Sequence, residues 1–188
     1  MIKYILLTGK ARSGKGTAVK IIQDYFKNCK VCNIPFASYI KDYAIKYMGW
    51  DGKDETKPRE FLQTIGTQVI REKLNKPDFH VGRVCEDIEI LQDFFNIFVT
   101  DDCRFPNEYY YSKVKFKENV VLIRIERDED NGLTESQKKH SSETAMDDFK
   151  EYDYIIKNNS TLKEYEENFK NILDDIFKSS HRCEEMEQ

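Results

Sequence analysis

The sequence predicts an α/β fold: a parallel sheet flanked by helices in three layers, built around a loop that cradles phosphate. Three observations predict it. The apolar run Ile2 to Thr8 ends in the glycine loop Gly9-Lys10-Ala11-Arg12-Ser13-Gly14-Lys15-Gly16-Thr17, which opens a helix. Apolar runs of strand length then alternate with stretches of helical period. The run Asn96 to Asp101 ends in acids, at the strand end where open parallel sheets bind ligands.

Each element follows in order. Ile2 to Thr8 is apolar on both alternations and reads as a strand buried on both faces. It is too short for a leader and flows straight into the glycine loop. Lys15 to Asn28 reads as a helix with Val19, Ile22 and Phe26 on one stripe. Lys30 to Pro35 is a second strand, and Ser38 to Tyr47 a helix with Ile40, Ala44 and Tyr47 on one face. Gly49 to Pro58 is a polar break, followed by helices over Arg59 to Leu74 and Val81 to Phe94. After the strand at 96–101 come a helix at Pro106 to Lys115 and a strand at Asn119 to Ile125. Glu126 to Ser141 is polar and aperiodic, the composition of a lid. Ser142 to Phe149 reads as a short helix capped by Ser141 or Ser142. Tyr152 to Lys157 is the last strand, Thr161 to Phe177 the last helix, and Ser179 to Gln188 a frayed tail.

The bulk composition bounds the function. The 188 residues suit one domain with a real core. A net charge of -4 argues against a general nucleic-acid binder, while leaving room for local arginines to hold a small anion. No apolar run is long enough to cross a membrane, and a cytoplasmic protein, monomer or homodimer, is expected. The five cysteines are odd in number and read as free thiols. Cys29 and Cys32 have metal-ligand spacing but lack a second pair.

The loop carries the sharpest chemistry. Backbone N–H groups and the helix N-terminus converge on phosphate oxygens, and Gly9 and Gly14 permit the close approach. Lys15 supplies a compact cation to the outer phosphates. The usual hydroxyl directly after the lysine is replaced by Gly16, with Thr17 next, a form that resembles adenylate kinases and related nucleoside monophosphate kinases. Thr17 is then a phosphate or Mg²⁺ contact. The bland alternative is a glycine turn.

Asp101-Asp102-Cys103-Arg104 offers carboxylates for Mg²⁺ or for orienting an acceptor, and an arginine that can fork onto phosphate; alone, such a pair is also found in solvated turns. Arg59, Gln63 and Gly66 share one helix face. Arg59 opposes the helix dipole, which suggests a nearby anion, and Gly66 suggests a close approach. In and beside the lid, Arg127 leaves a strand end and is preferred as a cation for the moving phosphoryl group. Arg124 lies within the strand and reads as solvent-facing. His140 is a surface histidine or a lid group, and Glu143 a cap for the adjacent helix.

Together these blocks resemble the deoxynucleoside monophosphate kinases, including those of tailed phages. The loop resembles that family's Gly-x-x-x-Ser-Gly-Lys-Asp-Thr, with Gly16 in place of the acid. Arg59 to Thr67 resembles its Arg-x-x-x-Gln-x-x-Gly-Thr helix, and Asp102 to Glu108 its Asp-x-Arg-x-x-x-Glu turn, which favours Asp102 over Asp101. His140-Ser141-Ser142-Glu143 with Asp153 to Asn159 resembles its closing block.

The resemblance implies one kinase domain using ATP and Mg²⁺, with a helical acceptor-binding region near 38–94 and a lid near 126–141. It implies that Gly9, Arg12, Ser13, Gly14, Lys15, Gly16 and Thr17 bind ATP, with Asn158 or Asn159 near the adenine. Arg59, Gln63, Arg71 and Arg104 would hold a nucleoside monophosphate, and Thr17 and Asp102 the metal. Lys15, Asp102, Arg104 and Arg127 would serve the transfer step. Another P-loop kinase, of the phosphomevalonate type, or a nucleotide-driven regulator or NTPase, are the alternatives.

Overall fold

The computed structural model describes residues 2–27, 29–129 and 132–177. Strand β1 (Lys3–Thr8) lies at the centre of a five-stranded sheet. The other strands are β2 (Val31–Asn33), β3 (Ile97–Cys103), β4 (Val120–Glu126) and β5 (Tyr154–Lys157). The order is β2-β3-β1-β4-β5, and every pairing is parallel.

The centre of the sheet explains the unbroken apolar run of β1. Ile5 and Leu7 face one side, where Ile97, Val99 and Ile123 join them under α1 (Lys15–Tyr25) and α8 (Leu162–Phe177). Tyr4 and Leu6 face the other, with Phe98 and Leu122, under α4 (Phe79–Leu91) and α5 (Pro106–Phe116). All these strand residues are almost wholly buried. Burying a side chain of this size stabilises the fold by about 1.5–3 kcal/mol. The Tyr4 hydroxyl is satisfied in the core: it donates to Thr100 Oγ1 at 2.9 Å, because Thr100 spends its own proton on the Ile34 carbonyl.

A satellite core sits beside the sheet. Helix α2 (Ser38–Met48) packs Ile40 and Ala44 against Leu62 and Ile70. The expected long helix from Arg59 begins as α3 (Arg59–Gln63) and widens into a π-helical stretch over Thr64–Lys73. A Cβ on Gly66 would stand 3.2 Å from Ile40 Cδ1 and 3.8 Å from His80 Nε2. The close approach predicted at this glycine is therefore made by α2 and His80.

Three expectations change in the second half. The lid contains a turn of helix, α6 (Glu135–Lys138), held by a capping box in which Thr134 accepts from the Gln137 N–H. The helix expected over 142–149 shrinks to α7 (Ser141–Thr144), whose cap is His140 rather than a serine; its Nδ1 accepts from the Ser142 N–H at 3.2 Å. Beyond it Met146 and Phe149 turn inward, Phe149 packing edge-on against Tyr109 and Tyr152. The free-thiol expectation holds at Cys32, Cys85 and Cys103, but Cys29 is disulfide-bonded. The expected tail lies outside the described residues. No helix among the described residues is long and apolar enough to cross a membrane.

Candidate active site

The loop Gly9–Thr17 leaves β1 beside the carboxyl ends of β3 and β4, the position the sheet order assigns to a ligand. Gly9 has φ +148, and a Cβ there would lie 2.3 Å from the Ile125 carbonyl oxygen, so only glycine fits. Gly14 has φ +108 and passes under the Asn158 amide. Lys15 folds back across the loop and donates to the carbonyls of Gly9 and Lys10 at 2.8 and 2.7 Å. Burial and then the nearby Arg104 cation hold its pKa down to about 8. Ser13 Oγ is buried and has no hydrogen-bond partner among the described residues.

Asn158 leaves β5 and donates to the Ser13 carbonyl at 2.9 Å. Tyr165 Oη donates to the Gly14 carbonyl at 3.4 Å. The neighbouring Asn159 turns the other way and clasps the start of the lid, accepting from the Asp128 N–H at 2.9 Å. Arg12 lies against Gly132 of the lid, where a Cβ would meet its guanidinium at 2.3 Å.

Beside the loop opens a cleft of about 170 Å³ between α2, α3 and the end of β3. Lys41, Lys57, Arg59 and Arg104 line it, against the carboxylates of Asp102 and Glu143. An acidic chain has thus gathered a cationic cleft, the electrostatics of an anionic ligand. Gln63 and Thr67 add neutral polar groups to its wall. Among the described residues no carboxylate lies within ion-pair distance of Arg59. Arg104 also lines a smaller hollow that holds Gly9 and Lys10, so one guanidinium borders both the loop and the cleft.

No family model matches the sequence. A protein of Acanthamoeba polyphaga mimivirus named "Putative deoxynucleotide monophosphate kinase" is 28% identical over 116 residues, 57% of this chain and 56% of its own length. The match therefore spans little more than half of that relative. Among solved structures, the dephospho-CoA kinase from Campylobacter jejuni superposes with a TM-score of 0.55 at 18% identity, covering 96% of this chain and 100% of that one. The APS kinase of Mycobacterium tuberculosis also gives 0.55, at 9% identity, over 95% and 98%. The chain shares the three-layer α/β fold of these kinases.

Within that fold, several residues singled out in the sequence take unexpected partners. Asp102 receives the N–H groups of Phe36 and Ala37 at 2.7 and 3.0 Å, one on each oxygen, and so ties β3 to the start of α2. Asp101 is half-buried on the same strand end, with its carboxyl pushed up by burial and by Asp102. Arg71 reaches the cleft wall but is bonded to Glu108 and stacked 4.0 Å over the Phe105 ring. Glu108 in turn accepts the Arg104 and Phe105 N–H groups at 2.7 and 3.0 Å. Arg71 thereby fixes the turn that carries Arg104. Arg127 pairs with Glu129 and is not among the residues lining the cleft.

Arg124 corrects the expectation of a solvent-facing strand residue. It donates to Tyr152 Oη at 2.6 Å and to the Met146 carbonyl at 3.1 Å, and borders the hollow at the loop. The bulge between Leu6 and Thr8 in the β1–β3 register marks the same end of the sheet as irregular.

Sequence reasoning missed Lys41, Lys57 and His80 in the cleft, and expected Glu143 only as a cap for the adjacent helix. His80, buried on α4, lines the cleft with its Nε2 beside the Gly66 carbonyl at 3.4 Å, and burial lowers its pKa. The sequence offered no signal, since a lone histidine on an apolar helix face reads as core. Glu143 does more than cap a helix. Its carboxylate pairs with Arg104 and accepts the Ala11 N–H at 3.3 Å, joining the loop to the cleft.

Proposed function

We propose that the protein transfers the terminal phosphoryl group of ATP to a nucleoside 5′-monophosphate, with deoxynucleotides as the favoured class. The observation that carries this is Arg104, which borders both the phosphate loop and the cationic cleft. A donor phosphate on the loop and an acceptor phosphate in the cleft would then share one cation. The name of the mimivirus relative supports the acceptor class.

In this scheme ATP lies on Gly9–Thr17, with the loop N–H groups and Lys15 on its outer phosphates. Arg59, Gln63 and Arg104 orient the acceptor in the cleft, within the helical region at 38–94. An oxygen of the acceptor phosphate attacks the γ-phosphorus in line as the bond to the β–γ bridging oxygen breaks. ADP leaves, and the acceptor becomes a diphosphate. The acceptor phosphate is already nucleophilic, so no strong base is required. Lys15 and Arg104 offset charge in the transition state, and the lid at 126–141 closes to bring Arg127 in and keep water out.

Among the described residues no cluster of three or more acids, histidines or cysteines could hold a metal unaided. Mg²⁺ in nucleotide sites is held mostly by phosphate and water, with one or two protein ligands. Thr17 and Asp102 would hold it, Asp102 with the lone pairs its two N–H bonds leave unused. When bound, the ion would neutralise charge between the β- and γ-phosphates.

The cleft's cations read a phosphate rather than a base, which keeps a kinase of another phosphorylated small molecule, such as the phosphomevalonate type, as the second reading. ADP release across all ribo- and deoxyribonucleoside monophosphates separates the two. The first predicts release with one or more of them, and silence with all of them contradicts it.

A further inference from the structure

The Glu143 carboxylate occupies a position that its own chemistry does not explain. It is almost fully buried, 9% exposed, on the short helix α7. One oxygen accepts the Ala11 N–H, a backbone donor of the glycine loop, at 3.3 Å. The other pairs with Arg104. Arg104 also donates to the Ser142 carbonyl at 2.9 Å, and Lys10 reaches from the loop to the Glu143 carbonyl and to Asp147. A backbone N–H of a glycine loop together with a guanidinium is a donor set suited to a phosphoryl oxygen. Here an anionic side chain fills it.

We propose that Ala11 N–H and Arg104 form the seat of the terminal phosphate of a nucleoside triphosphate, and that Glu143 is its stand-in, holding the seat until nucleotide displaces it. The inference rests on the proposed use of the loop for ATP. A carboxylate and a phosphate cannot share two donors at this range without strong repulsion, so α7 moves away as the nucleotide enters. The stand-in keeps Arg104 paired while the site is empty. Its cost is a lower apparent affinity, because only the fraction of molecules with Glu143 withdrawn can bind.

The substitution Glu143→Gln tests this. The amide oxygen can still accept from Ala11, but its NH₂ opposes the Arg104 donors, so the stand-in is weakened without loss of volume. The magnesium complex of a non-hydrolysable ATP analogue, titrated calorimetrically, should bind the variant more tightly, by about tenfold if the stand-in state holds nine-tenths of the empty protein. Equal or weaker binding by a folded variant overturns the proposal, since a merely structural strut would give that result. Hydrogen exchange on the unmodified protein gives a second readout independent of the variant's folding. Saturation with the analogue should speed exchange at the amides of residues 142–145, and unchanged or slower exchange there overturns the proposal. Failure of the unmodified protein to bind the analogue at all would instead remove the proposed function on which it rests.

Discussion

Asn158 Nδ2 donates to the carbonyl of Ser13 at 2.9 Å, so the end of the last strand clamps the loop that leaves the first. The bond fixes the carbonyl that precedes Gly14. Replacing Asn158 by Ala removes it, at a cost of about 1 kcal/mol for a hydrogen bond of this kind. The account expects weaker binding of ATP and of GTP by similar factors, with the acceptor KM unchanged, measured by paired titrations. Weakening confined to ATP would instead mark Asn158 as an adenine contact.

Two arginines of one helical segment should behave differently. Arg71→Ala leaves Glu108, which is 2% exposed, without its ion partner. Breaking a buried pair in this way costs about 3–5 kcal/mol, so its thermal midpoint should fall well below that of the native chain. Arg59→Ala gives up no ion pair, and should leave the midpoint near its native value while raising the acceptor KM tenfold or more. Thermal melts alongside steady-state kinetics check both.

Lys15 gives a pH dependence with a defined sign. Its pKa is held down to about 8 by burial and by Arg104. A bound triphosphate, being of opposite charge, raises that pKa, so binding above pH 8 must take up a proton. ATP affinity should fall as pH rises past about 8, and calorimetry in buffers of different ionisation enthalpy should show uptake approaching one proton there and little below pH 7. The same group affects stability: its burial cost is present below pH 8 and is relieved between 8 and 10.5, where the unfolded chain still holds the proton.

Glycines of the loop divide by what surrounds them. Gly9→Ala would drive a Cβ to 2.3 Å from a backbone carbonyl at φ +148, and should cost several kcal/mol in urea unfolding. Nothing lies within 4 Å of a Cβ on Gly16, in the first turn of α1. Gly16→Ala should therefore stabilise the chain, by up to about 1 kcal/mol. Room at this position also accounts for the resemblance to a family pattern that carries an acid there.

What the sequence made legible follows from how local each signal is. The glycine loop, the central strand and the acids at the end of β3 announce themselves by composition and spacing, and all meet at the carboxyl end of the sheet. The start of α6 is legible too, as a Thr134–Gln137 capping box within a polar run. Roles set by distant partners were not. Asp102 and Arg71 have the residue types of ligand contacts, yet their partners, Phe36, Ala37 and Glu108, come together only when β3, α2 and α5 pack. Glu143 lies 132 residues from the Ala11 N–H it engages, and no helical or strand period connects them.

The central claim is that the loop and the cleft share a phosphoryl group, and one labelling experiment tests it most directly. The protein is incubated with ATP labelled at the γ-phosphate, Mg²⁺ and each nucleoside 5′-monophosphate in turn, and the products are separated. The account predicts label in the β-phosphate of a nucleoside diphosphate, lost in Lys15→Ala. Label recovered only as inorganic phosphate, whatever acceptor is present, would contradict it.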